Sequence, residues 1–382
     1  MSAPNLNPQQ QEAVKHIDGP LLVLAGAGSG KTGVITHKIA HLIASDVPPA
    51  RIAAVTFTNK AAREMKARVG GLLDAERTRG LLVCTFHSLG LRLLQSETEA
   101  AGLKPGFSIF DSDDSDKLLA DLMGKDPALR KVARGAISRW KSAGVEHDHA
   151  LAAVENDGEA RLARAYAEYQ RHLRAYNAVD FDDLLALPVT LLRDNAELRE
   201  RWQNRFRYLL VDEYQDTNGA QYQLLKLLAG VRAAFTVVGD DDQSIYAWRG
   251  AQPGNIGDLH NDFPHLTVVK LEQNYRSCGH ILTAANRLIE NNERAYEKTL
   301  WSAFGPGDRL RILPCPDDNS EAERVVSEMI AHRIRAGKRY GDYAVLYRGN
   351  YQARAFERAL RERSISYRVS GGQSFFDRSE IR

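Results

Sequence analysis

Cysteine is scarce and scattered: Cys84, Cys278 and Cys315 are the only three in 382 residues, with no CxxC spacing and no paired histidines. That excludes a disulfide framework and a zinc site, and it fits a reducing compartment. The apolar runs are all far shorter than a membrane span, and the amino terminus MSAPNLNPQQ lacks the charged-then-apolar pattern of a signal peptide. A cytoplasmic location is therefore expected. There is no excess of either charge, since 51 Lys and Arg nearly cancel 49 Asp and Glu for a net +2. Such a balance neither favours nor excludes nucleic acid as a partner, so any basic footprint must be local. The one local surplus runs from Arg333 to Arg368, with ten Lys or Arg against Asp342, Glu357 and Glu362. It reads equally as an exposed basic helix. Internal repeats and low-complexity segments are also missing. What is present is 43% hydrophobic residues, ample for buried cores in a globular protein of two or three domains.

The order of patterns predicts an α/β fold. PLLVLAG, RIAAVTF and LLVCTF are short β-rich runs, each followed by a helical pattern, which is the βα rhythm of a parallel sheet over residues 1–106. Strand signals vanish from 107 to 183, where LARAYAEYQRHLRAY has helical spacing, so this stretch reads as a helical insertion. The rhythm resumes over 184–276 with FRYLLVDE, AAFTVVGD and LTVVKLE, which should complete the first sheet. RLRILPC and DYAVLYRG, each followed by a helix, make 277–382 look like the opening of a second α/β domain.

Two segments carry chemistry on their own. AGAGSGKT, residues 25–32, fits the phosphate-loop pattern, with Ala25 rather than Gly at its first position, in the required strand-to-helix context. The glycines let the backbone around Ala27, Gly28, Ser29 and Gly30 curl so that amide groups face phosphates. Lys31 adds a positive charge at the β- and γ-phosphates, and Thr32 an oxygen for Mg²⁺. FRYLLVDEYQD then offers Asp212 as the second metal ligand, with Glu213 directly after it, placed to orient an attacking water. A surface carboxylate at a strand end is the plainer alternative for Glu213. Asn7-Pro8-Gln9-Gln10 reads as a helix capping box. A third segment, GDDDQSIYAWRG at 239–250, packs three carboxylates, an amide, two aromatics and an arginine behind an apolar run. Alone, it could be a solvated turn followed by core aromatics.

Taken in order, LNPQQQEAV, AGAGSGKT, AVTFTNKAAREM, TFHSLG, DFDDLL, VDEYQDTN, VGDDDQSIYAWRGA and LEQNYRS resemble the UvrD/Rep/PcrA group of superfamily 1 DNA helicases along essentially the whole chain. The resemblance implies a RecA-like, parallel-sheet motor domain with a helical insertion, and the start of a second RecA-like domain. It implies ATP and Mg²⁺ as cofactors, single-stranded DNA and single/double-strand junctions as partners, and 3′ to 5′ movement. Residue by residue, Gln10 would read the adenine edge and Tyr275 would stack on the base. Lys31, Thr32, Asp212 and Glu213 keep the roles above, while Gln243 and Arg276 would sense the γ-phosphate. Phe57, Thr58, Asn59, Tyr246, Trp248 and Arg249 would face single-stranded DNA, with His87 and Ser88 as weaker candidates for that surface.

Under that resemblance the 239–250 stretch acts as a single element whose near end feels the terminal phosphate and whose far end grips the track. Asp240 to Asp242 would cap the strand beside the metal, and the aromatics would stack on bases of any sequence. Two departures stand out. Gly33 occupies a position where relatives commonly have a basic residue, so no contact is expected from it. The later family motifs, including a second arginine at the γ-phosphate and a large insertion in the second motor half, are expected to be missing from these 382 residues.

Overall fold

The computed structural model describes residues 6–247, 250–252, 254–292 and 296–370. Eight strands are defined in it: β1 Pro20–Ala25, β2 Ile52–Thr56, β3 Leu82–Thr85, β4 Ser108–Phe110, β5 Ala178–Asp180, β6 Tyr208–Val211, β7 Phe235–Gly239 and β8 Thr267–Leu271. Six of them form one sheet in the order β3-β2-β6-β7-β1-β8. Every pairing in it is parallel. β1, β2, β6 and β7 are buried along their whole length because the sheet is covered on both faces. Alternate residues go to opposite cores. Leu22, Leu24, Ala53 and Val55 join one cluster, whereas Leu21, Val23, Ile52 and Ala54 join the other. The second cluster also holds side chains of α1 Pro8–Lys15, α2 Lys31–Ala44 and α3 Asn59–Leu72. α4 Phe86–Ser96 and the helices Asp183–Asp194, Ala196–Arg205 and Gly219–Ala229 cover the opposite face.

The 107–183 stretch is mostly helical, and its core gathers Leu118, Leu119, Ile137, Tyr166, Tyr169 and Leu173. The expectation that strands vanish here needs one correction: β4 and β5 form a short parallel pair. Three-residue strands are too short to show an alternation of their own. Lys141, fully buried, fastens this subdomain by reaching Asp180 Oδ2 at 2.7 Å and Asp183 Oδ1 at 2.8 Å.

The chain divides into two compact units, Met1–Asp308 and Arg309–Arg382. In the second unit, helices Asp318–Ala336 and Ala353–Glu362 pack through Ala322, Val326, Phe356, Ala359 and Leu360. RLRILPC and DYAVLYRG, expected as strands, form none among the described residues. A strand needs a ladder partner, and here Ile312 and Leu346 are each 93% exposed. The basic stretch is partly neutralised locally, through Arg339–Asp342, Arg358–Glu362 and Arg363–Glu323. Among the described residues no helix is long and apolar enough to cross a membrane, and all three cysteines are free.

Candidate functional site

An all-parallel sheet brings the carboxyl ends of all its strands to one edge, where α/β folds place their sites. Strand order then decides which segments are neighbours. Along that edge lie His87 after β3, Phe57 to Asn59 after β2, Asp212 and Glu213 after β6, Asp240 to Tyr246 after β7, the phosphate loop after β1, and Gln273 to Arg276 after β8. The candidate nucleotide residues gather at the β1/β8 end and the candidate DNA residues at the β2/β3 end. β1 and β2 are three strand spacings apart, about 14 Å. The ends of β6 and β7 occupy the gap.

The phosphate loop has the backbone its glycines permit, with φ +72° at Gly28 and +88° at Gly30. Three successive carbonyls of the loop are held from outside. Asn274 Nδ2 donates to Ala27 O at 2.6 Å, the Tyr275 amide to Gly28 O at 2.9 Å, and Gln10 Nε2 to Ser29 O at 2.9 Å. This commits the carbonyl side of the loop to protein donors, and of the loop amides Ser29 donates within the loop, to Gly26 O at 3.2 Å. The fit is close. A Cβ at Gly28 would come within 2.6 Å of Asn274 Nδ2, and one at Gly30 within 2.8 Å of Gln10 Nε2. The capping box is formed as expected, and Asn7 Nδ2 also donates to the Tyr275 hydroxyl at 3.0 Å, so Gln10 and Tyr275 lie on one side of the loop. Tyr275 and Arg276 are exposed.

Lys31 Nζ stands 3.4 Å from Glu213 Oε2, which joins the phosphate loop to the end of β6 two strands away. Glu213 adopts φ +52°, a costly conformation for a side-chain-bearing residue and the kind of strain that clusters at functional sites. Asp212 beside it is buried, and burial together with the Glu213 carboxylate pushes its carboxyl up to about 6. Thr32 is the second residue of α2, and a hydroxyl and a carboxylate oxygen are donors that suit Mg²⁺. Gln215 went unnoticed in the sequence. Its buried amide donates to Glu213 Oε2 at 2.9 Å, and its Oε1 accepts the Asp240 amide at 3.0 Å. Gly239 is required beside it, because a Cβ there would lie 2.8 Å from that oxygen.

Gln243 is turned to Asp240, whose carboxylate accepts from its Nε2. Asp240 to Asp242 follow directly on β7, and all three carboxylates converge on the ammonium of Lys298. A cation supplied by the protein already sits among them, and the DDDQ pattern contains no hint of its distant partner.

On the β2/β3 side, Phe57 and Tyr246 stack with ring centres 5.5 Å apart and planes 25° apart. Thr58 is the N-cap of α3, its hydroxyl accepting from the Ala61 amide at 3.1 Å, and Asn59 opens that helix, exposed. His87, kept below its ordinary pKa by burial, meets the ring of Phe181 edge-on at 6.0 Å. Phe181 is 56% exposed and went unremarked inside DFDDLL, where an aromatic looks like core. Ser88 is bonded to the Thr85 hydroxyl at 3.0 Å. Trp248 and Arg249 lie outside the described residues.

The chain matches known family models along nearly its whole length. The family model described as UvrD/REP helicase N-terminal domain matches residues 6–264, and that of the UvrD-like helicase C-terminal domain matches 269–382. The proteins named ATP-dependent DNA helicase Rep from Salmonella typhimurium and Escherichia coli are each 54% identical over 382 residues, covering 99% of this chain and 57% of theirs. ATP-dependent DNA helicase PcrA of Staphylococcus epidermidis is 43% identical over 384 residues, covering 99% of this chain and 52% of that protein. The chain thus spans a little over half the length of the curated relatives it matches. With a phosphate loop, an adjacent Asp-Glu strand end and both family models spread over nearly all its residues, the chain belongs to the UvrD/REP helicase family.

Proposed function

We propose that this chain carries the ATP site and the single-stranded DNA track of a DNA translocase and helicase that moves 3′ to 5′ in replication or repair in the cytoplasm. The observation that carries the reading is the Lys31–Glu213 contact, which sets a phosphate-binding lysine against a candidate base on the edge that also bears the Phe57–Tyr246 pair. Gln10 and Tyr275 hold the adenine, while the amides of Ala27 to Gly30, with Lys31, hold the phosphates. Thr32 and Asp212 hold Mg²⁺, which neutralises phosphate charge when bound. Glu213 accepts a proton from the attacking water. Gln243 and Arg276 contact the terminal phosphate. Phe57, Thr58, Asn59, His87, Tyr246, Trp248 and Arg249 line the DNA path, and single/double-strand junctions are the substrate. On the motif pattern, residues 1–106 and 184–276 form the first motor domain, 107–183 its insertion and 277–382 the start of the second.

The rival reading is a DNA-binding module that uses ATP only as a clamp switch. Glu213 and Gln243 favour the enzyme, since a clamp needs neither a base nor a phosphate sensor. The test is phosphate release with Mg-ATP by the chain extended to full length, with and without a thymidine oligonucleotide. Hydrolysis accelerated by DNA supports the motor. Nucleotide-dependent DNA binding without turnover favours the clamp.

A further inference from the structure

Three carboxylates in succession are an unfavourable way to end a buried strand. Oxygens of Asp240, Asp241 and Asp242 lie within 4.8 Å of one another, with Asp240 nearly inaccessible and the other two half-buried. Like charges so placed repel, and more strongly as water is excluded. Lys298 resolves this. Its Nζ is 2.7 Å from Asp240 Oδ1 and 2.8 Å from Asp242 Oδ2 and also contacts Asp241, one ammonium with three donors facing three carboxylates. Lys298 is only 5% exposed.

The segment that delivers Lys298 touches the rest of the nucleotide site. Leu300 packs on the phosphate loop so closely that a Cβ at Gly26 would collide with it. The Thr299 amide donates to Glu272 Oε1 at 2.8 Å, the Trp301 amide to Glu272 O at 3.1 Å, and the Asn274 amide to Trp301 O at 2.8 Å. Residues 298–301 therefore contact the phosphate loop, the arm carrying Tyr275 and Arg276, and the turn carrying Gln243. That turn is held from the other side by Gln215, which also bonds to Glu213. Three residues beyond Gln243, Tyr246 stacks on Phe57.

Resting on the motor reading, we propose that Lys298 is a positioning residue for coupling between nucleotide and DNA. It neutralises the Asp240–Asp242 turn and clamps it to the phosphate loop and the 272–276 arm, so that a change at the phosphates is passed to Tyr246. It touches neither ligand. Its loss leaves each ligand bound but separates their effects.

The experiment measures the affinity of the purified chain for a thymidine oligonucleotide, with and without Mg²⁺ and a non-hydrolysable ATP analogue. The affinity for the analogue alone is measured alongside. In the parent the analogue should change DNA affinity by a factor in the usual coupling range, about 5–150-fold. Lys298→Met should bring that factor to within about twofold of unity while each separate affinity stays within about threefold of the parent. Adding Asp242→Asn to Lys298→Met should restore part of the coupling, because it removes one of the repelling charges. A role limited to filling space would show no such rescue.

Full coupling in Lys298→Met overturns the inference and leaves the motor reading standing. So does absence of rescue, or a loss of analogue affinity beyond about tenfold, which would make Lys298 a binding residue. A parent with no coupling at all overturns the motor reading and this inference with it. If Lys298→Met does not fold, Lys298→Arg decides. It keeps the charge but must seat a planar guanidinium where three oxygens converge on one nitrogen. Reduced coupling with both affinities kept supports the inference, and parental coupling overturns it.

Discussion

Replacing Glu213 with Gln should have opposite effects on binding and on chemistry, and the Lys31 contact determines the first. Before nucleotide arrives, Lys31 Nζ is 3.4 Å from Glu213 Oε2, with side chains 12% and 38% exposed. Incoming phosphates must draw the lysine away from that carboxylate. A partly exposed pair of this kind is worth about 0.5–1 kcal/mol. Glu213→Gln cancels that cost, and it also removes a negative charge beside the phosphates. At 1.4 kcal/mol per tenfold, Mg-ATP analogue binding should tighten about two- to fivefold. Geometry should hold, because the amide oxygen can still accept from Gln215 Nε2, now 2.9 Å from the carboxylate. Hydrolysis should nevertheless fall by about 10²–10⁴, the usual worth of a positioned base. Equilibrium titration with a fluorescent ATP analogue gives the first number and phosphate release with DNA present gives the second. Raising the salt should shrink the binding gain, since a partly exposed pair is screened. Weaker analogue binding in Glu213→Gln would show that the ion pair does not oppose nucleotide, and an unchanged hydrolysis rate would remove Glu213 as the base.

Lys38 of α2 is buried with no carboxylate partner among the described residues, and burial lowers its pKa from 10.5 to about 7. Its amine reaches the carbonyls of Ala13, at 2.7 Å, and His16 at the end of α1, the helix that bears Gln10. In the unfolded chain the amine keeps its ordinary pKa, so between about pH 7 and 10.5 the unfolded state binds the extra proton and stability should rise with pH. Lys38→Met should abolish that rise in denaturant titrations, and a parent-minus-variant difference that is flat or reversed across the window contradicts the assignment. In the insertion, Lys141→Met leaves Asp180 and Asp183 buried without their counter-charge and should cost about 3–5 kcal/mol, part of it regained on adding Asp183→Asn. A loss below about 1 kcal/mol by chemical denaturation would mean that water reaches the pair.

The sequence by itself determined the α/β class, the strands of the main sheet and the residues of the phosphate loop, because each rests on local physics. An apolar run of five or six residues bounded by turn residues makes a buried strand wherever it is placed, and left-handed turns at Gly28 and Gly30 need glycine. Asp212 and Glu213 were legible for the same reason, as carboxylates directly after such a run. Tertiary structure alone decided which strand ends are neighbours. The order β3-β2-β6-β7-β1-β8 places Glu213 and the turn carrying Gln243 between the phosphate loop and Phe57, and no periodicity reports that order. The partners of buried charge were equally hidden. Lys298 lies 56 residues or more along the chain from the three aspartates it neutralises, and a lysine in sequence carries no sign of being buried. Gln215 and Asn274 read as ordinary polar residues until folding put a carboxylate beside one and the carbonyl of Ala27 beside the other. Burial turns such contacts into structural requirements, since a polar group removed from water must find its partner inside the protein, and folding alone determines which groups are removed.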